Sequence, residues 1–135
     1  MKLSLTILVA FALAVAGSAL ATSNSATITI KHQTRGCHSW SLDGKSWRAS
    51  QSVTLVPGGT LAVVDNDVMP HALVQVRGPK AVLARAAMKH MGATAFVGFP
   101  TKGTYVFTTK AGEDYMSGVK TIGEDNVLKL VVTVR

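Results

Sequence analysis

The sequence is short of cysteine, aromatic residues and acidic residues, and each shortage excludes a class of protein. Cys37 is the only cysteine in 135 residues, so no disulfide can form within one chain. Aromatic residues make up 6% of the chain, and the basic residues are scattered singly, so the stripe of a nucleic-acid-binding surface is missing. The 7 acidic residues occur mostly as pairs at turns, without the run of oxygen ligands that a calcium loop needs.

Long apolar runs are also missing after the N-terminal region. Lys2, the apolar stretch 3–16 and the small residues 19–21 have the order of a secretory signal. We expect cleavage after residues 1–21, which leaves 22–135 as a single domain that is periplasmic or secreted. No later run approaches the ~18 apolar residues of a membrane span, so we expect none.

Catalytic motifs are missing as well. The sequence has no Gly-x-Ser-x-Gly elbow for a serine nucleophile and no His-Glu-x-x-His helix for a zinc hydrolase. The 14 basic residues outnumber the 7 acidic ones, which we interpret as a solubility or docking property. We therefore expect that the protein is not an enzyme.

The remaining pattern is mostly that of β-strands. The segment "ATITIKH" alternates, with Ile28, Ile30 and His32 on one face. Other short strands are predicted in "SVTLVPGGTLAVVDND", with a turn at Pro-Gly-Gly, and in "ALVQV", "TAFVGF", "GTYVFTT" and "NVLKLVVTV". Strands at this spacing, with no βαβ rhythm, predict an all-β antiparallel sandwich or barrel. The exception is "KAVLARAAMKHM", whose helix formers predict a short helical insert near 80–91.

Apolar positions of these strands predict the core. They are Val53, Leu55, Leu61, Val63, Leu73, Val74, Tyr105, Phe107, Leu128, Leu130 and Val132. Val74 is the weakest member, because both faces of a sandwich strand cannot be buried equally.

Two segments, "VTLVPGGTLAVVDNDVMPHALVQV" and "FPTKGTYVFTTKAGEDYMSG", resemble the cupredoxin family. In that family a histidine ligand follows the turn after the first segment's strand, and this position matches His71. The second segment is similar to the strand that leads into the copper-ligand loop, with Met116 in the place of the closing Met-x-Gly. The resemblance covers roughly 27–135 and implies a Greek-key β-sandwich.

The chain departs from the family at the remaining ligands. Blue-copper cupredoxins carry a cysteine and then a histidine after the Tyr-x-Phe strand, where this chain has Thr109 and about Gly112. The stretch 108–114 contains neither a thiol nor an imidazole. Either the copper has been lost or the cysteine ligand has moved, and Cys37 is the one candidate. By analogy with the fold, the loop 33–39 lies at the metal end.

The resemblance therefore implies copper held by a rearranged ligand set. Cys37 would supply the thiolate, His71 one imidazole, and His38 or His32 the other, with Met116 as a weak axial ligand. His32 is expected to point inward. The sequence leaves open which of His32 and His38 is the ligand.

Each candidate also has an ordinary structural explanation. Cys37 could be a small buried apolar residue, and His71 a polar residue at the start of a strand. Met88 and Met91 are three apart on the predicted helix, which indicates mainly core contacts. Whether Met116 or one of these two is axial stays open.

Three functions are compatible with the sequence. The first is electron transfer with a redox partner protein through a mononuclear Cys/His copper site. The second is a copper carrier or scavenger that exchanges the ion with a donor or acceptor, which a site dominated by Met88, His90 and Met91 would favour. The third is a metal-free interaction module, which separate burial of Cys37 and His71 would favour. The oligomeric state stays open.

Overall fold

The computed structural model describes residues 23–32, 38–111 and 128–135, which form strands and no helix. The strands are β1 (Ser23–His32), β2 (His38–Ser41), β3 (Ser50–Asn66), β4 (His71–Arg77), β5 (Val82–Ala84), β6 (Ala87–Met88), β7 (Thr94–Gly98), β8 (Gly103–Ala111) and β9 (Lys129–Val134). The all-β prediction is confirmed. No helix in the described ranges is long and apolar enough to cross a membrane. The predicted secretory signal, 1–21, lies outside the described residues.

Strand β3 connects the two layers of the sandwich, because its two halves pair with different strands. Residues 50–55 pair with β9, which is followed in the same layer by β8, β4 and β6. Residues 60–66 pair with β1, whose Ser23 also pairs with Leu55, and residues 60–64 pair with β7; β1 and β7 in turn pair with β2 and β5.

The Pro-Gly-Gly sequence predicts a turn between two strands, but it lies within the single strand β3, so this prediction is wrong. The chain bends there and continues as one strand. Gly58 has a φ of 80°, and its amide donates to the Phe99 carbonyl at 2.8 Å. The bend therefore moves the chain from one layer to the other instead of reversing it, as strands at sandwich corners do.

The pairing of the strands is mixed, whereas the sequence predicted an antiparallel arrangement. β1 and β3 run parallel, as do β3 and β9. The other pairings are antiparallel, including those that join β9, β8, β4 and β6. Parallel neighbours need a crossover connection, and alternation within a strand does not reveal the direction of its partner.

The buried apolar side chains of both layers form one core. All the predicted core residues are buried except Val53 and Val74, which are half-buried. Phe99 belongs to the core too, and its ring packs edge-on against Tyr105 with centroids 4.9 Å apart. The strand register inferred from the sequence is therefore correct for most of the core.

The predicted helical insert at 80–91 is wrong. The segment forms the short strands β5 and β6, which pair with β7 and β4 in opposite layers. Arg85 lies between them with a φ of 55° and divides the segment. Met88 is fully buried while Val82 is 62% exposed. Backbone pairing at two sheet edges outweighs the helix-forming composition, which is a weak preference.

Candidate metal centre

Three histidines meet at one end of the sandwich, because strands begin or end there. His32 is the last residue of β1 and pairs with His38, the first residue of β2. His71 is the first residue of β4 and follows the acidic turn after β3. The structure therefore brings together the two segments that the sequence analysis singled out.

A carboxylate that the sequence analysis did not select joins two of these histidines. Asp67 Oδ2 lies 2.8 Å from His38 Nδ1 and 3.2 Å from His71 Nε2. The side chains of all three residues are 1% exposed or less. An ionised carboxylate only accepts hydrogen bonds, so both imidazole nitrogens donate to the same oxygen.

The Asp-Asn-Asp turn holds Asp67 in place. The backbone N–H of Asp67 donates to Asp65 Oδ1 at 3.0 Å, and the backbone N–H of Met69 donates to Asp67 Oδ1 at 3.3 Å. Such bonds between an Asp side chain and the backbone two residues on are typical of turns. One oxygen of Asp67 is therefore used by the turn, and the other faces the two imidazoles.

Burial and hydrogen bonding set the charge of these groups. Burial tends to raise the pKa of Asp67, but hydrogen bonds from His71, the Met69 amide and His38 outweigh it and lower the pKa. Burial lowers the pKa of His71 by more than its hydrogen bond to Asp67 raises it. At neutral pH the centre therefore holds an ionised Asp67 and a neutral His71. Burial also raises the pKa of Asp65 to about 6.

Two imidazole nitrogens at the centre are buried and have no hydrogen-bond partner among the described residues. They are His38 Nε2 and His71 Nδ1, and the two ring centroids lie 4.7 Å apart with the planes at 87°. In a neutral imidazole the nitrogen opposite the N–H carries a lone pair, and burying it unpaired is costly. Imidazole nitrogens with a free lone pair are donors that copper and zinc prefer.

His32 lies at the rim of the centre. It is exposed, so the prediction that it points inward is wrong: the burial alternation of β1 ends at Ile30, and Lys31 is exposed too. One ligand atom each of His32, His38 and Asp67 nevertheless lie within 4.8 Å of one another. His32 is therefore close enough to share a metal ion with His38 and Asp67.

Cys37 and Met116 lie outside the described residues, and their roles as ligands stay predictions. Their connections to the centre are known. Cys37 directly precedes His38 in the chain. Ala111, the last described residue before 112–127, pairs with His71 across β8 and β4. Both undescribed segments therefore join the chain at or beside a residue of the centre.

The other two methionine candidates, Met88 and Met91, differ in burial. Met88 is fully buried and pairs with His71 across β6 and β4, so the two side chains emerge on the same face of the sheet. Met91 is 53% exposed, so the prediction that Met88 and Met91 both make core contacts is wrong for Met91. His90 is exposed and donates from Nδ1 to the Met91 carbonyl at 3.1 Å. With Met88 buried and the other two exposed, a site dominated by these three residues is not assembled.

Comparison with known proteins finds similar folds among copper proteins. Amicyanin from Paracoccus versutus is 14% identical, over 84% of this chain and 90% of amicyanin, with a TM-score of 0.45. A purple cupredoxin from Nitrosopumilus maritimus is 16% identical, over 82% of this chain and 99% of its own, with a TM-score of 0.46. A copper-containing nitrite reductase from Thermus scotoductus is 17% identical, over 91% of this chain and 25% of its own, with a TM-score of 0.43. No family model and no curated protein matches the sequence.

The strand pairings of the described residues give the β-sandwich that the sequence predicted, with mixed parallel and antiparallel neighbours. The likeness does not extend to ligands or activity at these identities. The centre is therefore interpreted from its own residues.

Proposed function

We propose that this protein is an exported copper protein that transfers electrons through a mononuclear site formed by His38, His71 and Cys37. The observation that carries the proposal is the pair of buried imidazole nitrogens without partners in the described residues. Imidazole suits Cu(II) and thiolate suits Cu(I), so this donor set holds both oxidation states. A bound copper ion would supply a one-electron redox couple.

The position of Cys37 supports its role as the thiolate ligand. It is the chain's one thiol and is covalently next to His38, the first residue of β2, so the two donors are adjacent in the chain. An exported protein that keeps a single thiol is exposed to oxidation unless that thiol is buried or bound. Binding to a metal at this centre would protect it.

Burial of the donors favours an electron carrier over an enzyme. The His38, His71 and Asp67 side chains are 1% exposed or less. Catalytic metal sites keep a position open for water or substrate, whereas an electron can pass through a closed ligand shell. We propose a redox partner protein as the other reactant, with residues 1–21 directing the chain out of the cytoplasm.

Copper titration of histidine variants tests the ligand set. His38→Ala and His71→Ala should each weaken copper binding by at least about 10-fold, because each removes one donor. His90→Ala is the matched control, since the His90 side chain is exposed and bonds only to its neighbour's carbonyl among the described residues, and it should bind as wild type. Affinities are measured by competition with a chelator. Wild-type binding by both His38→Ala and His71→Ala would refute the site.

The same titration distinguishes the two histidines that the sequence left open. His32→Ala should lose little affinity, because His32 is exposed at the rim while His38 is buried at the centre. A loss at His32 that matches the loss at His71, with none at His38, would exchange their roles.

Redox cycling of loaded protein separates electron transfer from copper carriage. An electron-transfer site should keep its copper through reduction by ascorbate and reoxidation, because both oxidation states have suitable donors. Release of the ion to the chelator in one oxidation state would favour the carrier function instead.

A further inference from the structure

We infer that Asp67 is a positioning residue that fixes which nitrogen of each histidine is available to a metal. It holds the N–H of His38 on Nδ1 and the N–H of His71 on Nε2, and so presents His38 Nε2 and His71 Nδ1 as the donors. The tautomers follow from the metal-free geometry, and only their use in metal binding rests on the proposed function.

The argument begins with the shared oxygen. Asp67 Oδ2 is within hydrogen-bond distance of one nitrogen from each ring, at 2.8 Å and 3.2 Å. A carboxyl group is ordinarily ionised at neutral pH, and an ionised carboxylate cannot donate. Each nitrogen that faces Asp67 must therefore carry its proton. A neutral ring has one N–H, so the opposite nitrogen carries the lone pair.

The surroundings hold Asp67 in this role. Its other oxygen accepts the Met69 amide, and its own amide donates to Asp65 Oδ1. The side chains of Asp67, His38 and His71 are almost fully buried. Bulk water is therefore a poor substitute partner for either ring, and the carboxylate decides the tautomer.

The unpartnered atoms agree with this assignment. His38 Nε2 and His71 Nδ1 are the nitrogens that lack a hydrogen-bond partner in the described residues. In each ring this is the nitrogen that does not face Asp67 Oδ2. A carboxylate that orients a ligating histidine in this way raises its basicity, and its loss typically costs 10–100-fold in metal affinity.

Asparagine in place of Asp67 should move the histidine protons to the opposite ring nitrogens, instead of merely weakening the hydrogen bonds. One of the two polar atoms of the new side chain must be an amide NH₂. The backbone N–H of Met69 cannot give up its proton, so the carbonyl oxygen of the introduced asparagine is expected to face Met69. The NH₂ then faces the imidazoles, and they can accept from it only by moving their protons to the metal-binding nitrogens.

The test is the tautomeric state of metal-free protein, read from ¹⁵N chemical shifts and ring couplings of histidine by NMR. Wild type should show His38 protonated at Nδ1 and His71 at Nε2. Asp67→Asn should move at least one of the two rings to the opposite tautomer. Asp43→Asn is the matched control, because Asp43 is an exposed turn carboxylate, and it should leave both rings unchanged. Other tautomers in wild type would overturn the inference, and this readout needs no variant to fold.

Metal binding provides the second readout. Asp67→Asn should bind copper about 10–100-fold more weakly than wild type, and Asp67→Ala should also weaken it. In the diamagnetic Cu(I) form of wild type, the His38 Nδ1 and His71 Nε2 protons should persist. Loss of the His38 Nδ1 proton on loading would make Asp67 a direct ligand with His32 and His38 and would overturn the positioning role.

The outcomes separate this inference from the proposed function. If wild type has the assigned tautomers but binds no copper, the proposed function fails and the orientation by Asp67 stands. If copper binding needs His38 and His71 but Asp67→Asn changes neither tautomers nor affinity, the proposed function stands and this inference fails.

Discussion

Replacing Phe107 by Ala tests the strand register on which the position of the centre depends. Phe107 lies on β8 between Leu130 of β9 and Gln75 of β4. It is fully buried, and its ring is edge-on to Phe99 with centroids 6.0 Å apart. Truncating a buried Phe to Ala costs ~3–5 kcal/mol, which includes the loss of the aromatic pair. We expect the upper half of that range, because strands pair on both sides and limit how far the cavity can collapse.

The assay is urea unfolding followed by the fluorescence of the buried Trp40. Phe96→Ala is the matched control: Phe96 lies on β7 and is 46% exposed, so its loss should cost about 1 kcal/mol or less. An unchanged denaturant slope would show that the difference arises in stability. A loss below ~1 kcal/mol for Phe107→Ala would refute the register of β8.

Three further predictions address charge, hydrogen bonding and export. Asp65→Asn should change the pH dependence of stability: burial raises the Asp65 pKa from 3.8 to about 6, so ionisation destabilises the wild-type fold as the pH rises through this window. The variant should match wild type near pH 4 and exceed it at pH 7 by about 1–2 kcal/mol after allowance for solvent screening, and an equal difference at both pH values in urea titrations would contradict this. Tyr105→Phe should lose ~1 kcal/mol in the same assay, because the hydroxyl donates to the Thr101 carbonyl at 2.6 Å, and an unchanged midpoint would show that this bond contributes nothing. Mass spectrometry of exported protein should find a chain that begins at Thr22, and a chain that begins at Met1 would contradict the predicted cleavage.

The sequence predicts the fold well where alternation and burial coincide. Ile28 and Ile30 alternate with exposed positions, and both are buried on β1 as expected. The helix predicted for 80–91 is wrong because the two strands of this segment pair in different layers. Composition carries no information about such distant partners. The turn predicted at Pro-Gly-Gly is wrong for a related reason. This sequence is compatible with a turn and with a bend, and only the strand partners of the residues on either side decide which of the two forms.

The candidate site was predictable in part. His71 and His38 were selected from a histidine after a turn and a histidine beside a lone cysteine. Asp67 was missed because acidic pairs at turns are expected for structural reasons alone. The local signal was present, since Asp67 and His71 are four residues apart. Its second partner, His38, is 29 residues away and reaches the turn only because β1 pairs with both β2 and β3.

The visible absorption of copper-loaded protein tests the central claim most directly. A thiolate bound to Cu(II) gives intense charge-transfer colour, whereas imidazole and thioether ligands alone do not. Wild type loaded with Cu(II) should therefore be strongly coloured, and Cys37→Ser should lose the band while its unfolding curve stays near that of wild type. His71→Ala should shift or abolish the same band. Copper binding without such a band, unchanged by Cys37→Ser, would contradict a site built from Cys37, His38 and His71.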